Sequence, residues 1–183
     1  MIFYIGDTHF GDRGIAKYQS PFPNTKTMND TLISNWNKKV RDTDHVYIVG
    51  DFSVNANIDF GKFLKRLNGR LHLICGNHDF ILLQKKGYLK YFESVDMIKY
   101  IKDRGENICL CHYPIAEWGG RMNDVKHVYA HIHKNSTDVF KFMHERGNSY
   151  CASAMINNYE PCTLEELAIN NNAYMESFDL LNV

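Results

Sequence analysis

Apolar residues gather in short unbroken runs at Ile2–Ile5, Val46–Val49, Leu71–Cys75, Ile108–Cys111 and Val128–Ala130, and polar residues follow each run at once. Runs this short and continuous suit strands buried on both faces, because a strand with one wet face would alternate. Between the first two runs, Met28, Leu32, Ile33, Trp36 and Val40 recur near a 3.6-residue period and predict an amphipathic helix. Phe63, Leu64 and Leu67 predict a second. Thr137–Phe142 and Tyr150–Ile156 read as later strands, and Thr163-Leu164-Glu165-Glu166 is a capping box that opens a short helix. The loop from Gly11 to Lys26, with Pro21 and Pro23, is long for a strand-to-helix connection, and loops of that length are often functional. With no internal repeat, low-complexity tract or linker, the alternation predicts one α/β domain over residues 1–183.

Composition narrows this picture only a little. Hydrophobic residues make up 44% and aromatics 13%, a globular balance able to build a core. Lys plus Arg and Asp plus Glu both number 21, so the chain lacks the basic excess of a protein that lives on a polyanion. The tightest basic cluster, Lys85, Lys86 and Lys90, reads as a solvated helix end. The five cysteines are odd in number and form no CxxC pair, and three lie in apolar runs. They read as buried reduced thiols in a reducing, cytoplasmic setting. Met1–Ile5 reads as a strand rather than a leader, and no apolar run approaches the ~20 residues that cross a bilayer.

The chemistry lies immediately after the apolar runs. Gly6-Asp7-Thr8-His9 follows the first, Gly50-Asp51 the second, and Gly76-Asn77-His78-Asp79 the third. His112 closes the fourth, and His131-Ile132-His133 follows the fifth. Ligand crevices of α/β sheets lie at the carboxyl ends of the strands, which is where all of these groups fall. Carboxylate, imidazole and amide oxygen together suit a divalent ion such as Mn, Fe or Zn rather than a thiolate site. In extended backbone Asp7 and His9 share a face, as do His131 and His133. Each motif alone is a weak signal. Five in fixed order, holding five of the nine histidines, are a strong one.

These motifs, in this order, resemble the calcineurin-like metallophosphoesterase superfamily, and especially its small bacterial and phage members. The likeness to that subgroup extends through Tyr18, Pro21-Phe22-Pro23, Met28-Asn29, Asn35-Trp36-Asn37 and the tail from Tyr159 to Leu167. The resemblance implies an αββα sandwich of two mixed β-sheets flanked by helices. It implies two divalent ions (Mn, Fe, Zn or Ni, manganese first). One would be held by Asp7, His9, Asp51 and His133, the other by Asp51, Asn77, His112 and His131, with Asp51 bridging. It also implies attack on the ester by a hydroxide shared between the ions, with His78 beside the leaving group and oriented by Asp79. A paired site of this kind stabilises both the attacking and leaving oxygens of an in-line displacement.

The protein phosphatases of the superfamily resemble one another in Gly-Asp-x-x-Asp-Arg-Gly. Here Gly50-Asp51 runs on as Phe52-Ser53-Val54-Asn55, without the clamping Arg. Cys111 and Ala130 stand where Gly is common. The expected substrate is a small phosphate mono- or diester, with a nucleotide as the leading case. A nuclease is the second reading, and a protein-binding scaffold on the same fold the third, disfavoured by the full ligand set. No membrane partner is expected. Arg13 is open between a substrate-phosphate clamp and a solvated loop residue. Trp118 is open between stacking on a base and packing under its loop, with packing favoured, and Arg121 is equally ambiguous. His45, His72, His127 and His144 read as structural.

Overall fold

A computed structural model describes residues 1–54, 58–84, 86–134 and 137–180. The first sheet holds β1 (Ile2–Ile5), β2 (His45–Ile48), β3 (Arg70–Ile74) and β4 (Phe92–Asp96), hydrogen-bonded in that order and all parallel. The second holds β5 (Ile98–Asp103), β6 (Glu106–Cys111), β7 (Lys126–Tyr129) and β8 (Ser149–Cys151). There β5 runs antiparallel to β6, and the other pairs are parallel. Helices α1 (Arg13–Tyr18), α2 (Thr25–Lys39), α3 (Gly61–Leu64), α4 (Phe80–Gln84), α5 (Thr137–Glu145) and α6 (Leu164–Leu180), with two short 3₁₀ turns at Lys86–Tyr91 and Arg121–Asn123, complete the described elements.

The continuous apolar runs find their reason in three stacked cores. Phe3, Ile5, Val46, Ile48, Leu71 and Leu73 face Met28, Leu32, Ile33 and Trp36 of α2 and Phe63 and Leu64 of α3. Alternate residues of the same strands, Tyr4, Tyr47, Val49 and Ile74, turn the other way onto Ile108, Leu110, Val128 and Ala130 of the second sheet. That sheet's outer face, with Cys109, Tyr129 and Cys151, packs on Phe140 and Met143 of α5 and Phe178 of α6. The order is therefore helix, sheet, sheet, helix, as expected. Among the described residues the four strands of the first sheet pair in parallel, and the isolated Tyr4–Cys162 bridge adds an antiparallel contact at its edge. All five cysteines are buried and free. Among the described residues, no helix is long and apolar enough to cross a membrane.

Other sequence expectations change. Thr137–Phe142 is not a strand but the start of α5, whose buried residues Phe140 and Met143 stand three apart, the helical spacing. The strand expected over Tyr150–Ile156 stops at Cys151. The chain then crosses to the first sheet, where the Gly6 N–H donates to Ala152 O and the Ala154 N–H donates to Gly6 O. The Asn157 amide seals that bend by donating to the Cys151 and Ser153 carbonyls. The capping box forms, with the Thr163 N–H donating to Glu166 (2.8 Å), but α6 is 17 residues long. Its inner stripe uses Leu167, Asn171 and Phe178, and an Asn at a core position hid its length. Asn171 binds both the N–H and the C=O of Cys151 there. The segment 11–26 is not all loop, since α1 occupies its middle. Lys86 and Lys90 lie in a 3₁₀ turn, Lys86–Tyr91, while Lys85 and Asn55 fall outside the described residues.

Several residues of the small-subgroup likeness act as ties between layers. Asn35 donates to Tyr159 O, Trp36 Nε1 donates to Asn68 O, and Asn37 accepts from the Asn68 N–H. Phe22 meets Tyr159 edge to face, ring centroids 4.8 Å apart.

Candidate metal centre

The parallel strands β1, β2 and β3 end on one edge, and the ends of β6 and β7 meet them there. Two groups of ligand atoms form at that edge. Asp7, His9, Asp51 and His133 make one, and Asp51, His112 and His131 the other, with the atoms of each group within 4.8 Å of one another. Asp51 belongs to both. Asn77 joins the second group, its Oδ1 3.2 Å from His112 Nε2.

The backbone reaches this arrangement by a different route from strand alternation. Asp7 (φ 51°), His9 (φ 46°), Asp51 (φ 52°), His131 (φ 72°) and His133 (φ 50°) all take left-handed φ. Asp-x-His and His-x-His therefore converge through tight turns past the strand ends, not on one face of extended chain. Such conformations cost of order 1–3 kcal/mol each for non-glycine residues and gather where function requires them. Two glycines make room. Gly50 has φ 80° and a β-carbon there would land on His112 Nδ1, while one on Gly76 would land on Asp51 Oδ1. Gly6 plays a matching part for Ala130, whose methyl occupies the space a β-carbon on Gly6 would take.

Neighbours fix which ring nitrogens face inward. His112 Nδ1 lies 2.9 Å from Val49 O, an acceptor only, so that nitrogen carries the proton and Nε2 presents its lone pair. His133 Nδ1 lies 2.7 Å from Gln19 Oε1, with the same result. His9 Nδ1 faces Asp12 Oδ2 at 3.4 Å. Histidine ligands are commonly oriented this way by a carbonyl or carboxylate behind the ring. Asp12 also caps α1, accepting from the Gly14 and Ile15 N–H groups. Asp79 differs from expectation: its two oxygens accept the backbone N–H groups of Asp51 (2.8 Å), Phe52 (3.0 Å) and Gly76 (2.8 Å). It organises the turns beneath Asp51 and does not hold the His78 ring. The His78 N–H donates to Asp51 Oδ1 (3.0 Å), and its half-buried ring stands 5.8 Å from that of His9.

These residues fit divalent cations. His9 Nε2 and His133 Nε2 are 3.0 Å apart, and with His133 Nδ1 engaged by Gln19 the His133 Nε2 lone pair points at the His9 ring, whose own Nδ1 is buried without a hydrogen-bond partner. Asp7 Oδ2 is buried with no hydrogen-bond partner, although Asp7 Oδ1 accepts the His131 N–H. An orphaned buried carboxylate oxygen is costly unless something binds it. The electrostatics agree. Burial pushes the Asp7 carboxyl up to about 6, against the pull of His112 and His9. Burial works against Asp51 too, but His112, the His78 N–H and His9 together hold it down at about 2. Burial, then the charge of His9, pushes His133 down to about 4. For His112 burial opposes protonation, yet the Asp51 and Asp7 carboxylates outweigh it and raise its pKa. Asp51 is thus held ionised and His133 and His131 neutral, the donor state metal binding requires, whereas His112 must give up a proton that the two carboxylates favour.

Other candidates lie apart. Arg13 starts α1 and lines a separate cleft with Lys26, Lys62 and Arg66. Trp118 is buried, donating to Val125 O (2.8 Å), and Arg121 pairs with Glu117 (3.0 Å). Asp12, Gln19 and Tyr113, whose ring lies 4.8 Å from that of His131, were missed. The first two act only through the folded α1 segment, and no motif marks them.

Gly76→Ala is expected to weaken metal binding by roughly 10–100-fold, as for other disturbed ligand supports, because the added methyl displaces the Asp51 carboxylate. A manganese titration of the variant beside the wild type measures it, and equal affinities would show that Asp51 tolerates the shift.

Comparison with known proteins gives consistent matches. A model of the calcineurin-like phosphoesterase family matches residues 1–167. An uncharacterized protein of Methanocaldococcus jannaschii is 35% identical over 167 residues, covering 90% of this chain and 87% of that one. The crystal structure of a protein of unknown function from Aquifex aeolicus superposes with a TM-score of 0.72 at 26% identity, covering 92% of this chain and 98% of that one.

Proposed function

Since the chain belongs to the calcineurin-like phosphoesterase family, we propose that it hydrolyses a small phosphate mono- or diester, with a nucleotide as the leading case, at a centre for two divalent ions bridged by Asp51. Membership makes it a metal-dependent phosphoric ester hydrolase. The observation that carries the finer reading is the sharing of one carboxylate by two ligand groups. A shared carboxylate is what holds two positive charges close together. Asp7, His9 and His133 would complete one site, and Asn77, His112 and His131 the other, with manganese as the first ion to test. Bound there, the ions would supply Lewis-acid stabilisation of the charge on the phosphoryl oxygens.

The chain's own residues do the rest. Val49 O and Gln19 keep the His112 and His133 rings turned with Nε2 inward, and Asp12 stands 3.4 Å behind His9 Nδ1. Asp79 fixes the turns that carry Asp51 and Asn77 by taking three backbone N–H groups. The His78 ring accepts and donates no hydrogen bond among the described residues, so it is available to the substrate. Protonated, it supports charge on the departing oxygen and can deliver a proton there. A panel of phosphomonoesters, linear diesters and cyclic nucleotides, assayed with added Mn²⁺, tests the reading. Hydrolysis of at least one class, dependent on the ion, is expected; inertness across the panel would count against it.

A further inference from the structure

A cleft of about 730 Å³ opens beside the metal-ligand edge, between the start of α2 and α3, and it is markedly basic. Arg13, Lys26, Lys62 and Arg66 line it against one carboxylate, Asp30. Asp30 is already shared between Lys26 (2.7 Å) and Arg66 (3.3 Å), while Arg13 and Lys62 pair with no carboxylate among the described residues. In a chain whose formal charge is zero, a local surplus of three positive charges is a concentration, not a background. The first two residues of α2, Thr25 and Lys26, also lie in the wall, so the positive end of a 15-residue helix opens on the same space.

The cleft is close to the ligands. Gly11 forms part of its wall and stands two residues after His9, so their Cα atoms are at most about 7.6 Å apart. Asp12, which faces His9 Nδ1, is joined directly to Arg13. Gly11 has φ 80°, and a β-carbon there would land on the side chain of Ile58, which also lines the cleft, so this part of the wall requires glycine.

We propose that this cleft is a second phosphate-binding subsite, which holds a phosphate of the substrate other than the one cleaved. It rests on the hydrolase reading and narrows it: the preferred substrate carries at least two phosphates, as a short nucleic-acid strand or a nucleoside polyphosphate does. Arg13 then serves the distant phosphate and not the scissile one. Arg suits this role because its planar fork makes paired hydrogen bonds to phosphate oxygens.

The test uses the manganese-loaded full chain and two probes, a labelled phosphorothioate oligothymidylate of eight residues, which resists hydrolysis, and ATP as its competitor. Arg13→Gln combined with Lys62→Glu is expected to weaken strand binding at least tenfold and to lower the slope of log affinity against log salt by about 2. Both side chains are exposed, and unchanged melting of the double variant would show that the fold is intact. Kinetics give a second readout. KM for a cleavable oligonucleotide or ATP should rise at least tenfold in Lys62→Glu, while KM for a p-nitrophenyl ester, too short to reach the cleft, should move less than twofold. Response of the strand alone, or of ATP alone, supports the subsite and names its source. Affinities for both probes unchanged by the double variant would overturn it, as would equal KM shifts on long and short substrates. A chain that hydrolyses the p-nitrophenyl ester but shows no cleft dependence sinks this proposal alone. One that binds the strand through the cleft yet cleaves no ester sinks the hydrolase reading instead.

Discussion

Replacing Asp51 with Ala is expected to abolish hydrolysis, by at least about 10³-fold or ~4 kcal/mol in barrier, and to strip most of the bound metal. Its carboxylate stands 3.9 Å from His9 Nε2 and 3.4 Å from His112 Nε2, and it is the one ligand common to both groups. The substitution also removes the acceptor for the His78 N–H, so lost activity alone could reflect a loosened turn. Asp51→Asn separates the effects, since its amide oxygen can keep that bond while the charge is gone. Metal analysis of both purified variants decides the matter. Both should fall below one equivalent per chain, and two full equivalents in either would show that Asp51 is no bridge.

The second large effect concerns His78. If its ring delivers a proton to the leaving oxygen, the loss in His78→Ala depends on how badly that oxygen needs one. For an alkoxide such as a ribose hydroxyl the rate should drop by about 10²–10⁴. For an activated phenolate, which departs unaided, the loss should be far smaller. Metal content should stay near wild type, because His78 falls in neither ligand group. Equal losses on both substrates would assign His78 to binding or organisation of the site. Loss of metal alongside activity would instead make it a ligand.

The contrast between His78 and Asp79 also shows where sequence reading stops. The strands β1, β2, β3, β6 and β7 were legible because the runs they carry are buried on both faces and so read as unbroken apolar stretches. β4 and β5 were not: β4 has no fully buried residue, and Ile98 and Tyr100 of β5 are more than half exposed, which breaks up the apolar signal. Aromatic content disguised α5 as a strand, and the buried Asn171 shortened the apparent apolar stripe of α6. In the site, every ligand type lay at a strand end in sequence, so the residues brought together at the edge were readable. Their support was not. Asp79 sits next to His78 in sequence but spends its oxygens on N–H groups 27 and 28 residues away, as well as on Gly76. Gln19 reaches His133 across 114 residues, a pairing that no local spacing encodes.

The claim that ester hydrolysis runs on cations held by Asp7, His9, Asp51, Asn77, His112, His131 and His133 is tested most directly by one titration. The purified chain is stripped with a chelator, Mn²⁺ is added back in steps, and hydrolysis of a phosphate ester from the active class is followed against bound metal. Turnover should vanish in the stripped protein and return fully at two equivalents per chain. Undiminished turnover in the metal-free protein, or full recovery at one equivalent, would contradict the account.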